Sequence, residues 1–284
     1  MASPKRVSPK TKTTPTTTTT AKSAAKAPEK APPRARSAGA AMTLVEVMAT
    51  LEKAGSAQTK KTYLRHGAKE PLFGVQFATL KDLWKKLRTN HELACALWDT
   101  GNFDARNLAV KLADPAQMTP SRLDAWARCN DVPMCVSYVA ALASEGPHGL
   151  PRAEAWLRAA DVPTRATGWS LVGMLAMRDE ATPDAWFLAR LAEIERTIAT
   201  VPNAERGTMN GVLIAIGCRN AAMRKAVAAA AKRLGPVEVD HGDTACKTPD
   251  ARAYIDKTWE HSTSKGFESP AAHERSRESM RLRC

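Results

Sequence analysis

Four side chains near the C-terminal end have the types and the close spacing that could hold a metal ion: Asp240, His241, Asp243 and Cys246. Carboxylate, imidazole and thiolate groups are the usual ligands of zinc. The segment runs directly into Thr248-Pro249-Asp250, however, which is a sequence typical of a helix start. We therefore favour turn and capping roles for these residues, and we predict neither a metal site nor a cofactor.

The other cysteines give no stronger indication of redox or metal chemistry. The six cysteines lie at positions 95, 129, 135, 218, 246 and 284, with no CxxC pair and no spacing shared with the histidines. This pattern favours reduced thiols in a cytoplasmic protein. No apolar run reaches the roughly 18 residues that a membrane-spanning helix needs, so we expect no membrane partner.

An acidic residue, an alanine and a tryptophan occur in a row three times, thirty residues apart: Asp124-Ala125-Trp126, Glu154-Ala155-Trp156 and Asp184-Ala185-Trp186. A proline lies shortly before each copy, at Pro120, Pro151 and Pro183. Proline suits the first turn of a helix, because its missing N–H has no partner to lose there. The repeat therefore predicts an all-α solenoid, a superhelix of antiparallel helix pairs that bury their apolar faces against their neighbours.

Positive charge is concentrated at the N-terminus. Residues 1–41 hold nine Lys or Arg and one acid, Glu29, which gives +8 of the net charge of +13. Because the segment has no aromatic residue, we predict a disordered basic tail. An electrostatic tether for nucleic acid is the favoured interpretation, and a solubilising leader and an organelle transit peptide are the alternatives. The polar residues 262–284 predict a flexible C-terminal tail, which leaves residues 42–261 as the helical domain.

Three segments resemble the DNA alkylation repair family: Tyr63-Leu64-Arg65-His66-Gly67, the run 97–106 and the run 239–251. The resemblance extends from about residue 42 to residue 260 and implies HEAT-like helical repeats that bind double-stranded DNA. The studied enzymes of the family are glycosylases that remove N3- and N7-alkylated purines by hydrolysis of the N-glycosidic bond. Other members bind or sense DNA without known catalysis, so a non-catalytic scaffold for DNA or protein is the alternative.

The resemblance also implies candidate catalytic residues. Trp169 stands in the Gly-Trp-x-Leu setting of the family, although Val172 replaces the arginine that usually follows. Trp126 matches the first family tryptophan, but the residue one helical turn later is Asn130, and Asp131 lies one position beyond it. At an effective dielectric constant of about 20, a carboxylate 4 Å from a developing cation contributes roughly 4 kcal/mol.

A structural interpretation of the first pair remains open. Trp126 and Asp131 have counterparts thirty residues later in Trp156 and Asp161, and a packing joint is more readily repeated than a catalytic pair. In that case the tryptophans pack between repeats, and the aspartates stabilise the positive N-terminus of the following helix. Trp169 has no such counterpart, since position 139 is Val139.

Basic side chains on the predicted helices are candidate contacts to DNA phosphates. The helix around residue 84 has an apolar face and a face of lysines, which is either solvated or bound to a polyanion. For Arg106, pairing with an acid is the equal alternative. The candidate DNA-binding residues are Lys61, Arg65, Lys81, Lys85, Arg106 and Arg165. We expect a monomeric, nucleoid-associated protein whose stacked helices form a curved, positively charged surface.

Overall fold

Helices make up the regular structure of the described residues. The structure is a computed structural model that describes residues 42–129 and 133–283. Within these ranges there is no strand. The helices are α1 (Leu44–Ala54), α2 (Ala57–Arg65), α3 (Phe77–Leu87), α4 (His91–Asp99), α5 (Phe103–Leu112), a 3₁₀ turn (Pro115–Gln117), α6 (Pro120–Ala127), α7 (Pro133–Ser144), α8 (Gly149–Trp156), α9 (Val162–Arg178), α10 (Asp184–Thr197), α11 (Asn203–Arg219), α12 (Ala221–Leu234), α13 (Ala251–Thr263), α14 (Pro270–Arg275) and α15 (Met280–Arg283). No helix of the described residues combines the length and hydrophobicity needed to cross a bilayer.

Short polar side chains begin several of these helices. The Asn90 side chain accepts a hydrogen bond from the N–H of Leu93, and Asn102 accepts from the N–H groups of Asp104 and Ala105. Each bond satisfies backbone donors that the first helical turn leaves without partners. Between the two helices, Gly101 adopts a φ of 72°, which allows the chain to leave α4. Asn90 and Asn102 are therefore the N-caps of α4 and α5.

The thirty-residue repeat corresponds to a helix pair, as predicted. Pro120 is the first residue of α6, Pro151 lies in the first turn of α8, and Pro183 is the N-cap of α10. Each of these helices is followed by a partner, so that α6–α7, α8–α9 and α10–α11 are successive pairs. The second helices α7, α9 and α11 lie side by side, with the most extensive contact between α9 and α11. The all-α solenoid prediction is therefore confirmed.

The acidic residue of one repeat forms a hydrogen bond with the tryptophan of the next repeat. Asp124 accepts the indole N–H of Trp156 at 2.7 Å, and Glu154 accepts that of Trp186 at 3.2 Å. A buried indole nitrogen usually needs an acceptor, and here the acidic residue of one repeat provides it for the next. These two indole-to-carboxylate bonds thus fix the register of the stack in addition to the apolar core.

The end of the chain differs from the sequence-based prediction. Residues 262–283 are not a frayed tail, because α14 and α15 pack against the domain and Arg281 is 5% exposed. The Arg281 guanidinium donates to Glu145 at 2.8 Å and to the carbonyl oxygen of Val110 at 2.7 Å. These polar side chains are therefore ordered by long-range hydrogen bonds, which local composition does not predict. The N-terminal segment 1–41 lies outside the described residues.

Candidate nucleic-acid interface

A cleft of about 640 Å³ lies where the end of α2 meets the segment that joins α12 to α13. Arg65 and His66 line it from α2, and residues 239–241, 244 and 246 line it from the joining segment. Further lining comes from α9 and α11, including Ser170 and Thr208. Two segments that are far apart in the sequence, 63–67 and 239–251, therefore form one site.

The joining segment is held on α11 by Asn203. The Asn203 side-chain amide donates to the carbonyl oxygen of Asp240 at 2.7 Å, and its oxygen accepts the N–H of Asp240 at 2.8 Å. Arg206 adds a longer bond to the carbonyl oxygen of Glu238, at 3.4 Å. Reciprocal bonding of this kind satisfies the backbone of an irregular segment and fixes its position. The wall of the cleft is thus attached to the helix that lines it.

The cleft carries charges of both signs. Arg65 is exposed, and a second cavity of about 470 Å³ shares Arg65, His66 and Cys246 with the cleft. The Asp240 carboxylate is also exposed and accepts the N–H of Gly242 at 2.8 Å. A guanidinium group binds phosphate by two parallel hydrogen bonds, and a carboxylate stabilises nearby positive charge. The arrangement can therefore hold an anionic backbone next to a polar pocket.

Comparison with known proteins assigns the chain to a family. Residues 47–242 match the sequence profile of the family described as DNA alkylation repair enzyme. This chain belongs to the DNA alkylation repair family. Uncharacterized proteins of Listeria monocytogenes and of Listeria innocua are each 28% identical to it over 222 residues, covering 76% of this chain and 97% of the relative.

A solved structure agrees with the family membership. It is described as a new family of proteins related to the HEAT-like repeat DNA glycosylases with affinity for branched DNA structures. The match has a TM-score of 0.72 and 31% sequence identity, and it covers 81% of this chain and 98% of the other. The fold of this alkylation repair family member is therefore a HEAT-like helical repeat.

The candidate catalytic tryptophans are packing residues in this structure. Trp126 is 1% exposed and stacks on Trp98 with ring centroids 4.1 Å apart, and Trp169 is 2% exposed. Neither ring lines the cleft. Gly168 explains the local motif, since a Cβ there would lie 2.9 Å from the backbone nitrogen of Leu157. The Gly-Trp pair thus permits close packing of α9 on α8. Asn130 and Asp131 lie outside the described residues.

Two of the candidate DNA contacts already have partners inside the protein. Arg165 forms an ion pair with the buried Glu205 at 2.7 Å, and hydrogen bonding to Glu205 raises the pKa of its guanidinium. Arg106 donates to the carbonyl oxygen of Trp98 at 3.3 Å and to the Cys129 thiol sulfur at 3.2 Å. Both guanidinium groups are therefore directed toward the protein, that of Arg165 toward an acid and that of Arg106 toward a carbonyl oxygen and a thiol.

The four remaining candidates differ in their surroundings. Lys81 donates to the carbonyl oxygen of Arg283 at 3.1 Å, and Lys85 forms an exposed pair with Asp82 at 3.3 Å. Lys61 and Arg65 are exposed on the same helix, one turn apart, and Arg65 lines the cleft. Of the six candidates, the structure brings only Arg65 to this site within the described residues.

Sequence reasoning missed the clustering of the two distant segments. The turn and capping interpretation of residues 240–250 is supported at Asp250, which caps α13 by accepting the N–H of Ala253 at 2.7 Å. It did not predict that Asp240 and His241 face the same cavity as His66. The available signal was that both segments carry the resemblance to one family, although nothing in the sequence indicated that they face one cavity.

Proposed function

We propose that this protein binds DNA at the cleft and acts on branched or alkylated DNA. The observation that carries the proposal is the meeting of Arg65 with the 239–246 segment around one cavity. Family membership and the affinity of the solved relative for branched DNA support it. A nucleoid location follows from this proposal.

Branched DNA suits the chemistry of the cleft. A branch point exposes nucleotides that are not stacked in a continuous duplex, and their base edges can be bonded directly. Arg65 supplies a phosphate contact at the rim, while Ser170, Asn203 and Thr208 supply hydroxyl and amide groups in the lining. A duplex has fewer accessible base edges, so we expect its binding to depend mainly on phosphate contacts.

The proposal is tested by fluorescence anisotropy with a four-way junction and a linear duplex of the same sequence. We expect tighter binding of the junction. Arg65→Gln should weaken junction binding at least fivefold and reduce the slope of log K against log salt by about 0.9, the value for one phosphate contact. Arg158→Gln is the matched control, because Arg158 is an exposed arginine outside the cleft, with a side chain that is 77% exposed. Equal effects of the two variants would contradict DNA binding at the cleft.

Excision of N3- or N7-alkylated purines is a second candidate function. The observation that favours it is the exposed Asp240 carboxylate in the cleft, because hydrolysis of a cationic nucleoside requires stabilisation of positive charge on the sugar. A carboxylate near the reacting carbon contributes roughly 4 kcal/mol, which corresponds to about three powers of ten in rate.

Duplex DNA with a single 7-methylguanine provides the assay. Release of the base leaves an abasic site, which is scored by strand cleavage. If the protein is a glycosylase, Asp240→Asn or Asp131→Asn should abolish release while DNA binding persists. Release no faster than the spontaneous rate, with intact binding by the unaltered protein, would leave DNA binding as the function and exclude excision of this lesion.

A further inference from the structure

The indole nitrogen of Trp126 lacks the acceptor that the equivalent residues of the later repeats possess. Trp156 donates to Asp124 at 2.7 Å and Trp186 donates to Glu154 at 3.2 Å. The Trp126 nitrogen is buried, and no hydrogen-bond partner for it is found among the described residues. A buried donor without an acceptor is uncommon in native proteins, and it indicates a group that an external molecule can satisfy.

The neighbouring repeat shows which group would fit. Asp124 is held by two donors from α8, the indole of Trp156 and the guanidinium of Arg152, which donates at 2.8 Å. Arg152 and Trp156 are four residues apart and lie on one face of the helix. The Trp156 indole contacts Oδ1 of this carboxylate, and the Arg152 guanidinium contacts both oxygens, Oδ1 at 3.1 Å and Oδ2 at 2.8 Å. Arg152 and Trp156 are therefore a pair of donors that binds an oxyanion, and this oxyanion is the carboxylate of Asp124.

The same pair of donors is present one repeat earlier without its anion. Arg122 and Trp126 precede Arg152 and Trp156 by thirty residues and have the same spacing on α6. The position thirty residues before Asp124 is Ala94, which has no carboxylate. The two donors of α6 are therefore repeated, whereas the acid that they would hold is replaced by a methyl group.

A cavity accompanies these two donors. It has a volume of about 290 Å³, and its lining includes Arg122, Trp126, Thr119 and Ser121. The hydroxyl groups of Thr119 and Ser121 lie 3.2 Å apart and add two polar groups to the lining. The cavity lining thus combines Trp126 with the polar side chains of Arg122, Thr119 and Ser121.

Asp99 is the internal anion nearest to this site. It pairs with Arg122 at 3.3 Å, and the two side chains are 63% and 38% exposed. Exposed pairs with this geometry contribute little to stability, so a competing anion can displace the Asp99 carboxylate. Displacement would free the guanidinium of Arg122, which lines the same cavity as Trp126.

We propose that Arg122 and Trp126 form an oxyanion-binding site that takes a phosphate group. The guanidinium of Arg122 and the indole N–H of Trp126 would both donate to oxygens of the anion, as Arg152 and Trp156 donate to the Asp124 carboxylate in the next repeat. Free phosphate and the phosphodiester backbone of DNA share this chemistry. The assignment to the DNA backbone rests on the proposed function, whereas the binding of an oxyanion does not.

Indole resonances in nitrogen–proton NMR spectra of the full chain test the site directly. Inorganic phosphate is added at constant ionic strength, which is maintained with sodium chloride. The Trp126 resonance, assigned by its loss in Trp126→Phe, should shift saturably by at least 0.2 ppm in the proton dimension, while those of Trp156 and Trp186 should shift by less than 0.05 ppm. Arg122→Gln should weaken phosphate binding at least fivefold, and Arg158→Gln should leave it unchanged.

Each outcome bears on the proposal. The absence of a Trp126 shift, or a shift that persists unchanged in Arg122→Gln, overturns the site. The four-way junction is then added in place of phosphate, and a Trp126 shift that Arg122→Gln removes assigns the anion to DNA. Phosphate binding without a junction effect restricts the site to free phosphate. Loss of DNA binding in the anisotropy assay would refute the proposed function but would leave a phosphate response intact.

Discussion

The buried ammonium group of Lys111 donates to the main-chain carbonyl oxygen of Arg281, 170 residues later, at 2.6 Å. Arg281 returns the contact, because its guanidinium donates to the carbonyl oxygen of Lys111 at 3.1 Å. The two residues therefore attach the last helix to the end of α5. Glu145 completes the arrangement by accepting from Arg281 at 2.8 Å, and it also bonds the hydroxyl of Ser279.

Substitution of Arg281 should destabilise the fold strongly. Arg281→Met removes the cation paired with Glu145 and the guanidinium donor of two buried carbonyl oxygens, and loss of one partner from a buried pair costs about 3–5 kcal/mol. Arg277→Met should change stability by less than about 0.5 kcal/mol, since Arg277 is half-exposed and reaches Glu274 at 3.9 Å. Urea unfolding followed by circular dichroism measures both. A difference below about 1 kcal/mol would show that the C-terminal segment contributes little to the domain.

Arg281 also shows why the sequence pattern predicts the repeats and not the C-terminal segment. The repeats are visible because an acid, an alanine and a tryptophan return every thirty residues, each time shortly after a proline, and because each helix has its own apolar stripe. The order of residues 262–283 depends on polar partners in α5 and α7, more than one hundred residues away. Local composition contains no information about such partners.

The candidate site is also only partly predictable from the sequence, for the same reason. The repeat leaves a structural role open for the tryptophans, and it does not predict the indole-to-carboxylate bonds that Trp156 and Trp186 form with Asp124 and Glu154. The cleft depends on a loop that Asn203 holds against α11, and the reciprocal bonds to Asp240 arise only in the folded chain. The charge of Arg165 was expected at DNA, but the position of Glu205 forty residues later directs it inward.

Two glycines on neighbouring helices should respond oppositely to alanine. At Gly168, an added Cβ would lie 3.0 Å from the main-chain carbon of Trp156, and backbone at this distance cannot move without displacing α8. We expect Gly168→Ala to cost about 1–3 kcal/mol. At Gly211 no atom lies within 4 Å of the added Cβ, so Gly211→Ala should stabilise α11 by about 0.5–1 kcal/mol. Thermal unfolding of the two variants measures whether each substitution raises or lowers stability. A Gly168→Ala variant as stable as the unaltered protein would contradict the close packing at Gly168, and destabilisation by Gly211→Ala would contradict the open space at Gly211.

Tyr63 should make the stability of the fold depend on pH in the alkaline range. Burial, together with the nearby Asp104 carboxylate, raises the pKa of its hydroxyl to about 12, and that hydroxyl donates to the carbonyl oxygen of Val75 at 2.7 Å. The pKa in the unfolded chain is about 10, so the unfolded state loses the proton first. The stabilisation of the fold by the protonated Tyr63 hydroxyl is complete below pH 10 and is lost as the pH rises toward 12. The free energy of unfolding should fall by about 1 kcal/mol between pH 10 and pH 11.

Tyr63→Phe isolates this dependence. It should cost about 1–3 kcal/mol at neutral pH, because the Val75 carbonyl oxygen loses its donor, and the curve of stability against pH should flatten above pH 10. Tyr254→Phe is the control, since Tyr254 is 51% exposed. Urea unfolding at pH 8, 10 and 11 provides the comparison. An unchanged slope in Tyr63→Phe would show that another group titrates.

The basic segment 1–41 should increase DNA affinity without regard to sequence or branching. Its nine Lys or Arg side chains can each release counterions from DNA, and each contact adds about 0.9 to the slope of log K against log salt. Removal of these residues should weaken duplex binding and lower that slope by at least one unit, while the preference for a junction over a duplex should remain.

A variant of equal length, with the nine cations replaced by Gln, separates charge from chain length and should behave like the deletion. An unchanged slope in both would show that the segment makes no phosphate contacts, and loss of the junction preference would place branch recognition in the segment rather than in the cleft.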